Sequence, residues 1–213
     1  SGFSADDVQN VLSVDGVKAS SRFISVNADV KERDGDSVAL TVTENPDVSS
    51  FITVDGDGYD PDSTDRIWIS KKYADANGIA VGDTLTFVYR NAEITGKVRG
   101  LIRAGEYLIC VRDETQLMPD PDTYGFAYIS PAMMKDALGF EFYPQINVIS
   151  DTEKKDFCER IDSAFGKTML ILSKDENISY SGASGEAEEG KTMSTVLPGV
   201  IDAESGYANG TCE

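Results

Sequence analysis

The residues that could do chemistry are few and oddly distributed. The segment Asp55-Gly56-Asp57-Gly58-Tyr59-Asp60-Pro61-Asp62-Ser63-Thr64-Asp65 carries aspartates at alternate positions, the way calcium loops gather oxygen ligands. No register supplies the full D-x-[DN]-x-[DN]-G pattern with a glutamate at the twelfth place, so the segment reads as a solvated turn. Histidine is absent, which removes the commonest general base and the commonest transition-metal ligand together. The three cysteines, Cys110, Cys158 and Cys212, are far apart and show no C-x-x-C spacing. They form no disulfide framework, although one bridge plus one free thiol is compatible with their number. Cys110, in the apolar run Tyr107-Leu108-Ile109-Cys110-Val111, and Cys158, on a helix, both read as small buried hydrophobes.

The chain has 37 acidic and 19 basic residues, a formal charge of -18 over 213 positions. Such a surface repels phosphate backbones and anionic lipid, which excludes nucleic acid as a partner. With 37 carboxylates some pair falls within glycosidase distance by chance alone, and no motif singles one out. The phosphate-binding pattern G-x-x-x-x-G-K-[ST] does not occur. No catalytic, cofactor-binding or metal-ligating residue is therefore assigned, and no cofactor is expected. The aromatics Phe51, Tyr59, Trp68, Tyr73, Phe87, Tyr89 and Tyr107 could line a groove between lobes, but their alternation on strands is what core packing produces.

The elements that would position these residues follow from caps and periodicity. Ser4 with Asp7, ahead of Val8, Val11 and Leu12, is a capping-box pattern, and predicts a helix ending near Asp15-Gly16. Branched alternating runs at 17–31 and 37–43 around Arg33-Asp34-Gly35-Asp36 predict a hairpin. A short strand at 50–54 precedes the aspartate loop. A strand at 66–69 leads into a helix capped by Ser70 and stopped by Gly78. Strands at 84–90, 93–103 and 106–112 form an antiparallel sheet curled into a small barrel. A strand at 124–129 is followed by Ser130-Pro131, a cap-then-proline helix start, with the stop at Gly139. A strand at 145–149, a helix from 151 or 152 to Phe165 and a strand at 169–172 spell βαβ with two parallel strands. From Ser179 the chain turns small and acidic, a polar connector before Met193, Val196 and Leu197. The sequons Asn177-Ile178-Ser179 and Asn209-Gly210-Thr211 matter only in a eukaryotic secretory pathway.

The fold class expected is α+β in two lobes. Residues 1–58 and 138–180 make a porter-like α/β lobe with βαβ units. Residues 59–137 make an inserted small antiparallel β-rich lobe, and 181–213 a connector and tail. The connector 181–199 is expected to be mobile in the free chain.

Four stretches resemble the external domains of MacB/FtsX-like ABC permeases: 6–20, an opening helix with its link to a strand; Ile67-Trp68-Ile69-Ser70 with Gly78-Ile79-Ala80-Val81-Gly82-Asp83-Thr84-Leu85, a strand, helix and G-h-x-x-G-D turn; Arg99-Gly100-Leu101-Ile102 with Glu106-Tyr107-Leu108; and 188–199, similar to the stretch where some of these permeases enter the next membrane helix. After Val200 that family continues as an apolar span, whereas 201–213 is polar here, and the strand expected before the opening helix is missing. The resemblance implies an extracytoplasmic domain at the cell membrane that contacts exported substrate or an accessory protein. It also implies a dimeric permease whose ATP is hydrolysed on a separate ATPase subunit or domain. The G-h-x-x-G-D turn also occurs in small β-barrels that help hold molybdopterin, but that likeness covers about twenty residues. The alternatives from other classes are a stand-alone secreted binding or adhesion protein and a carboxylate-dependent glycosidase. Flanking membrane spans in the intact gene would separate the first from a permease domain.

Overall fold

The structure, a computed structural model, describes residues 2–107, 110, 112, 118–152, 154–165, 170–172, 196–198 and 200–202. The connector at 181–195, both sequons, Cys212 and the tail from 203 lie outside the described residues. The chain divides into two compact units, Ser1–Ile24 with Phe142–Glu213, and Ser25–Glu141. The sequence boundary of the inserted lobe was expected at 59. Instead residues 37–43 pair with 124–129, which brings the preceding strands into the same unit.

In the first unit, Ser4 caps α1 (Ala5–Leu12) through the reciprocal capping box with Asp7. Both N-terminal donors are thereby satisfied. The helix stops at Leu12, earlier than expected. Its Val8 and Val11 pack with Phe3, Val14, Ile146, Val148, Phe157 and Ile161 into one apolar cluster. These residues come from both chain ends: β1 (Val17–Val30) begins here and runs antiparallel to β8 (Gln145–Ser150), from Val17 opposite Ser150 to Phe23 opposite Gln145. The helix α4 (Lys154–Phe165) turns Phe157 and Ile161 into that cluster, as their i,i+4 spacing requires.

The expected βαβ pairing is not what forms. Strand β9 (Leu170–Leu172) lies parallel to β10 (Val196–Pro198), and the parallel partner of β8 is β11 (Val200–Asp202). Residues 196–198, within the stretch expected as a connector, form a strand whose backbone pairs with β9.

The second unit holds the rest of β1, β2 (Ser37–Thr43), β3 (Phe51–Gly56), β4 (Arg66–Ser70), α2 (Lys71–Asn77), β5 (Thr84–Tyr89), β6 (Ala92–Ala104), β7 (Tyr124–Ile129) and α3 (Pro131–Leu138). β1 and β2 form the expected hairpin. β2 lies parallel to β7, β7 antiparallel to β4, and β4 parallel to β6. β5 pairs with β6 on one side and with β1 on the other, so the pairings close into a ring of six strands, a barrel. Its membership differs from the expected meander. Gly105–Tyr107 is a 3-10 turn and not the start of a strand, because Tyr107 turns its ring onto β7; 108, 109 and 111 are outside the described residues. The thirteen-residue β6 shares one edge between β5, along its first half, and β3, along its second.

Both faces of β2 are buried. Val38, Leu40 and Val42 are fully enclosed on one, and Ala39 joins a second apolar layer on the other. That is the pattern of a strand with a parallel neighbour and cover on both sides. Ser70 and Ser130 cap α2 and α3, and Gly78 and Gly139 end them in the left-handed conformation. Asp83 turns out to stabilise its turn, its carboxylate accepting from Ala80 N at 2.8 Å.

Candidate interaction surface

The layer on the outer face of β2 is aromatic. Trp68 is completely buried there and donates its indole N–H to the carbonyl of Asp57 at 3.0 Å. Gly100 makes room for it: a Cβ at that position would lie 2.5 Å from Trp68 Cδ1. Tyr59 meets the indole edge-on at 4.7 Å, and its hydroxyl sits 2.8 Å from Thr43 O and 3.0 Å from Ile129 O. Phe51 packs on Tyr59 at 5.5 Å and Tyr128 at 4.6 Å. Tyr107 stacks on Phe126 with centroids 4.4 Å apart and planes 11° apart. Its hydroxyl is 2.7 Å from Thr41 Oγ1 and 3.3 Å from Ser25 Oγ.

Of the aromatics singled out in the sequence, Phe51, Tyr59, Trp68 and Tyr107 converge here, while Tyr73 and Phe87 are buried elsewhere in the same unit. Tyr89 lies beneath the Arg90 guanidinium at 5.4 Å. All seven belong to Ser25–Glu141, and core packing accounts for most of them, as their alternation implies.

The aspartate loop is organised by its own backbone. Asp60 Oδ1 accepts from Asp62 N at 3.1 Å, an Asx turn, and Asp60 Oδ2 is 3.5 Å from Arg66. Asp65 Oδ1 is 3.4 Å from Ser63 Oγ. Among the described residues no three carboxylates or thiols are grouped to hold an ion.

The cysteines divide. Cys110 is free and packs against the aromatic layer, and burial pushes its thiol up to about 11, with Lys72 opposing. Cys158 is disulfide-bonded, so its reading as a plain buried hydrophobe is corrected. Its position on α4 gave no signal of that, since pairing depends on spatial neighbours.

The first unit has an open depression of about 690 Å³ where the residues after α1 meet α4. It is lined by Ser13, Asp15, Asp156, Glu159, Arg160 and Ser163 among others. Arg160 donates to the carbonyl of Asp15 at 2.6 Å and lies 3.4 Å from its carboxylate. That exposed pair fastens the end of α1 to α4 and offers no nucleophile or base poised for chemistry.

The strand expected at 50–54 forms as β3, and what sequence reasoning missed is its place at the end of the sheet. It pairs with β6 and ends the sheet; among the described strands no other pairs with it. Phe51 faces the aromatic layer, whereas Ile52 is 70% exposed and Val54 41%. Phe51-Ile52-Thr53-Val54 is apolar at three of its four positions, so the sequence carried no signal of which face is exposed.

The chain combines an α/β unit made from both chain ends with a ring-closed β unit, and this fold has a counterpart among solved structures. The chain shares it with the extracellular domain of the noncanonic ABC-type transporter YknZ from Gram-positive bacteria, at a TM-score of 0.52 and 15% identity over 78% of this chain and 85% of that one. The periplasmic region of MacB from Actinobacillus actinomycetemcomitans is also similar, at a TM-score of 0.45 and 12% identity over 88% of this chain and 85% of that one. No protein-family model matches the chain, and no curated protein matches it by sequence. Among the described residues no helix is long and apolar enough to cross a membrane.

Proposed function

We propose that the chain is the extracytoplasmic domain of an ABC-type permease, a binding and force-transmitting module rather than an enzyme. The observation that carries this reading is the fold shared with the YknZ extracellular domain over most of both chains. The stretch 188–199, which resembles the entry into a membrane helix, adds to it. On this reading the domain contacts an exported substrate or an accessory protein outside the cell membrane. ATP is hydrolysed on a separate ATPase subunit, and the domain passes conformational change to the membrane helices of a dimeric permease.

The test uses the full-length protein reconstituted with its ATPase in vesicles. Deleting residues 4–199 should abolish ATP-driven transport while membrane assembly persists, and a flexible glycine pair inserted after Glu189 should lower transport without lowering expression. Undiminished transport in both variants would overturn the relay. Full-length protein found in the medium with no membrane fraction would mean a stand-alone secreted binding protein instead.

A further inference from the structure

We infer that the edge of β3 left unpaired among the described strands is a docking site for an extended cationic segment of another protein, which adds to the sheet as a further strand beyond Phe51–Gly56. Sheet edges present rows of N–H and C=O groups that pair with any compatible strand, and proteins usually blunt them with charges, bulges or a cover. Among the described residues β3 is blunted at its far end, where the register shifts between Thr53 and Asp55. Its first half carries no charge.

The strand is held ready from behind. Phe51 is fixed between Tyr59 and Tyr128, and Gly56, at a φ of 87°, lies so close under the Arg99 carbonyl that a Cβ there would be 2.1 Å from that oxygen. Asp57 N donates to Arg99 O at 2.7 Å while its carbonyl receives the Trp68 indole. A backbone pinned at both ends loses little freedom when a strand is added, which favours binding. Ile52 and Val54, exposed on one face, supply the apolar contacts that alternate side chains of an added strand would cover.

Charge selects the occupant. Asp55 and Asp57 are exposed directly after these residues and outnumber Arg103, which is exposed opposite Ile52, and the chain as a whole carries -18. A second copy of this chain carries the same charge of -18 and is disfavoured by repulsion. A segment alternating lysine or arginine with branched apolar residues matches both features.

This inference goes beyond the transport reading and is tested without transport. The probe is a seven-residue peptide of alternating lysine and valine, titrated into the full chain by calorimetry at low and moderate salt. The control is the same peptide N-methylated at every residue, which keeps charge and side chains but has no backbone donors. The expected result is at least about tenfold tighter binding of the unmodified peptide, lost in Ile52→Lys and again in Val54→Lys. Asp55→Asn with Asp57→Asn should weaken binding several-fold and flatten its salt dependence. Because both apolar positions are exposed, circular dichroism and melting of each variant should match the parent. Equal affinity for the two peptides, or binding unaffected by both lysine variants, would overturn the inference and leave charge attraction alone. Self-association on sedimentation that Ile52→Lys abolishes would overturn it in favour of a second copy.

Discussion

Replacing Tyr73 by Phe isolates one buried polar contact in the second unit. The Tyr73 hydroxyl donates to Asp36 Oδ2 at 2.8 Å; Tyr73 is fully buried and Asp36 nearly so. The ring stays, so packing of α2 is unchanged, and what is lost is a hydrogen bond to a charged acceptor, worth about 1.5–3 kcal/mol with the carboxylate left short of a partner. Urea unfolding of Tyr73→Phe, Asp36→Ala and the double variant should give a coupling of at least about 1 kcal/mol. The pH dependence carries the same information. Burial, and then the hydrogen bond to Asp36 and its charge, raise the Tyr73 pKa above its ordinary value. A raised pKa means the folded state holds the proton more tightly, so this stabilisation is complete below the unfolded tyrosine value of about 10 and is lost as pH rises above it. The parent should therefore lose stability faster than Tyr73→Phe above about pH 10. Additive single effects, or parallel curves in alkali, would refute the reasoning.

Other expectations follow from single contacts. Gly100→Ala should destabilise by about 1–3 kcal/mol by pushing on Trp68; Trp68 is the one tryptophan of the chain, so its emission should shift, and unchanged emission and stability would refute the close fit. Ser130→Ala removes the cap that accepts from Met133 N at 2.9 Å and the donor to Ser63 O, and should cost about 1–2 kcal/mol by urea unfolding. Cys110 should react with iodoacetamide at pH 8 on the order of a hundredfold slower than a free thiol, since its pKa is raised to about 11 and little thiolate is present; full reactivity in folded protein would contradict the burial. Peptide mapping without reductant should show Cys158 in a disulfide-linked peptide; Cys158 recovered as a free thiol would refute the bridge.

What the sequence disclosed was the chemistry of element ends. Ser4, Ser70 and Ser130 act as caps and Gly78 and Gly139 as stops because those roles depend on one residue and its next few neighbours. Strand partners depend on residues far along the chain. The parallel match of Ser37 with Tyr124 and of Val196 with Leu170 has no local signature, so the middle read as a simple meander and the end as βαβ. Tyr107-Leu108-Ile109-Cys110-Val111 has the composition of a strand, yet Gly105–Tyr107 is a 3-10 turn, since an aromatic face on β7 offers Tyr107 a better place than a ladder does. At the candidate surface, the aromatics were visible as types but not as a layer. The exposure of Ile52 became apparent only once β3 was seen to end the sheet.

The first unit is assembled from the two ends of the chain, with Val17 opposite Ser150 and Phe23 opposite Gln145. A chain that emerges amino terminus first can therefore complete Ser25–Glu141 before Phe3, Val8 and Val11 have anything to pack against. At about 5–20 residues per second of synthesis, these apolar residues and the first half of β1 wait several seconds or longer for their partners. During that interval an unpaired strand edge and a naked helix face hang from an otherwise finished barrel. Residues 3–24 are then more exposed to misassociation than the barrel that follows them, and a chaperone that shields them would govern the yield more than any stabilisation of the barrel.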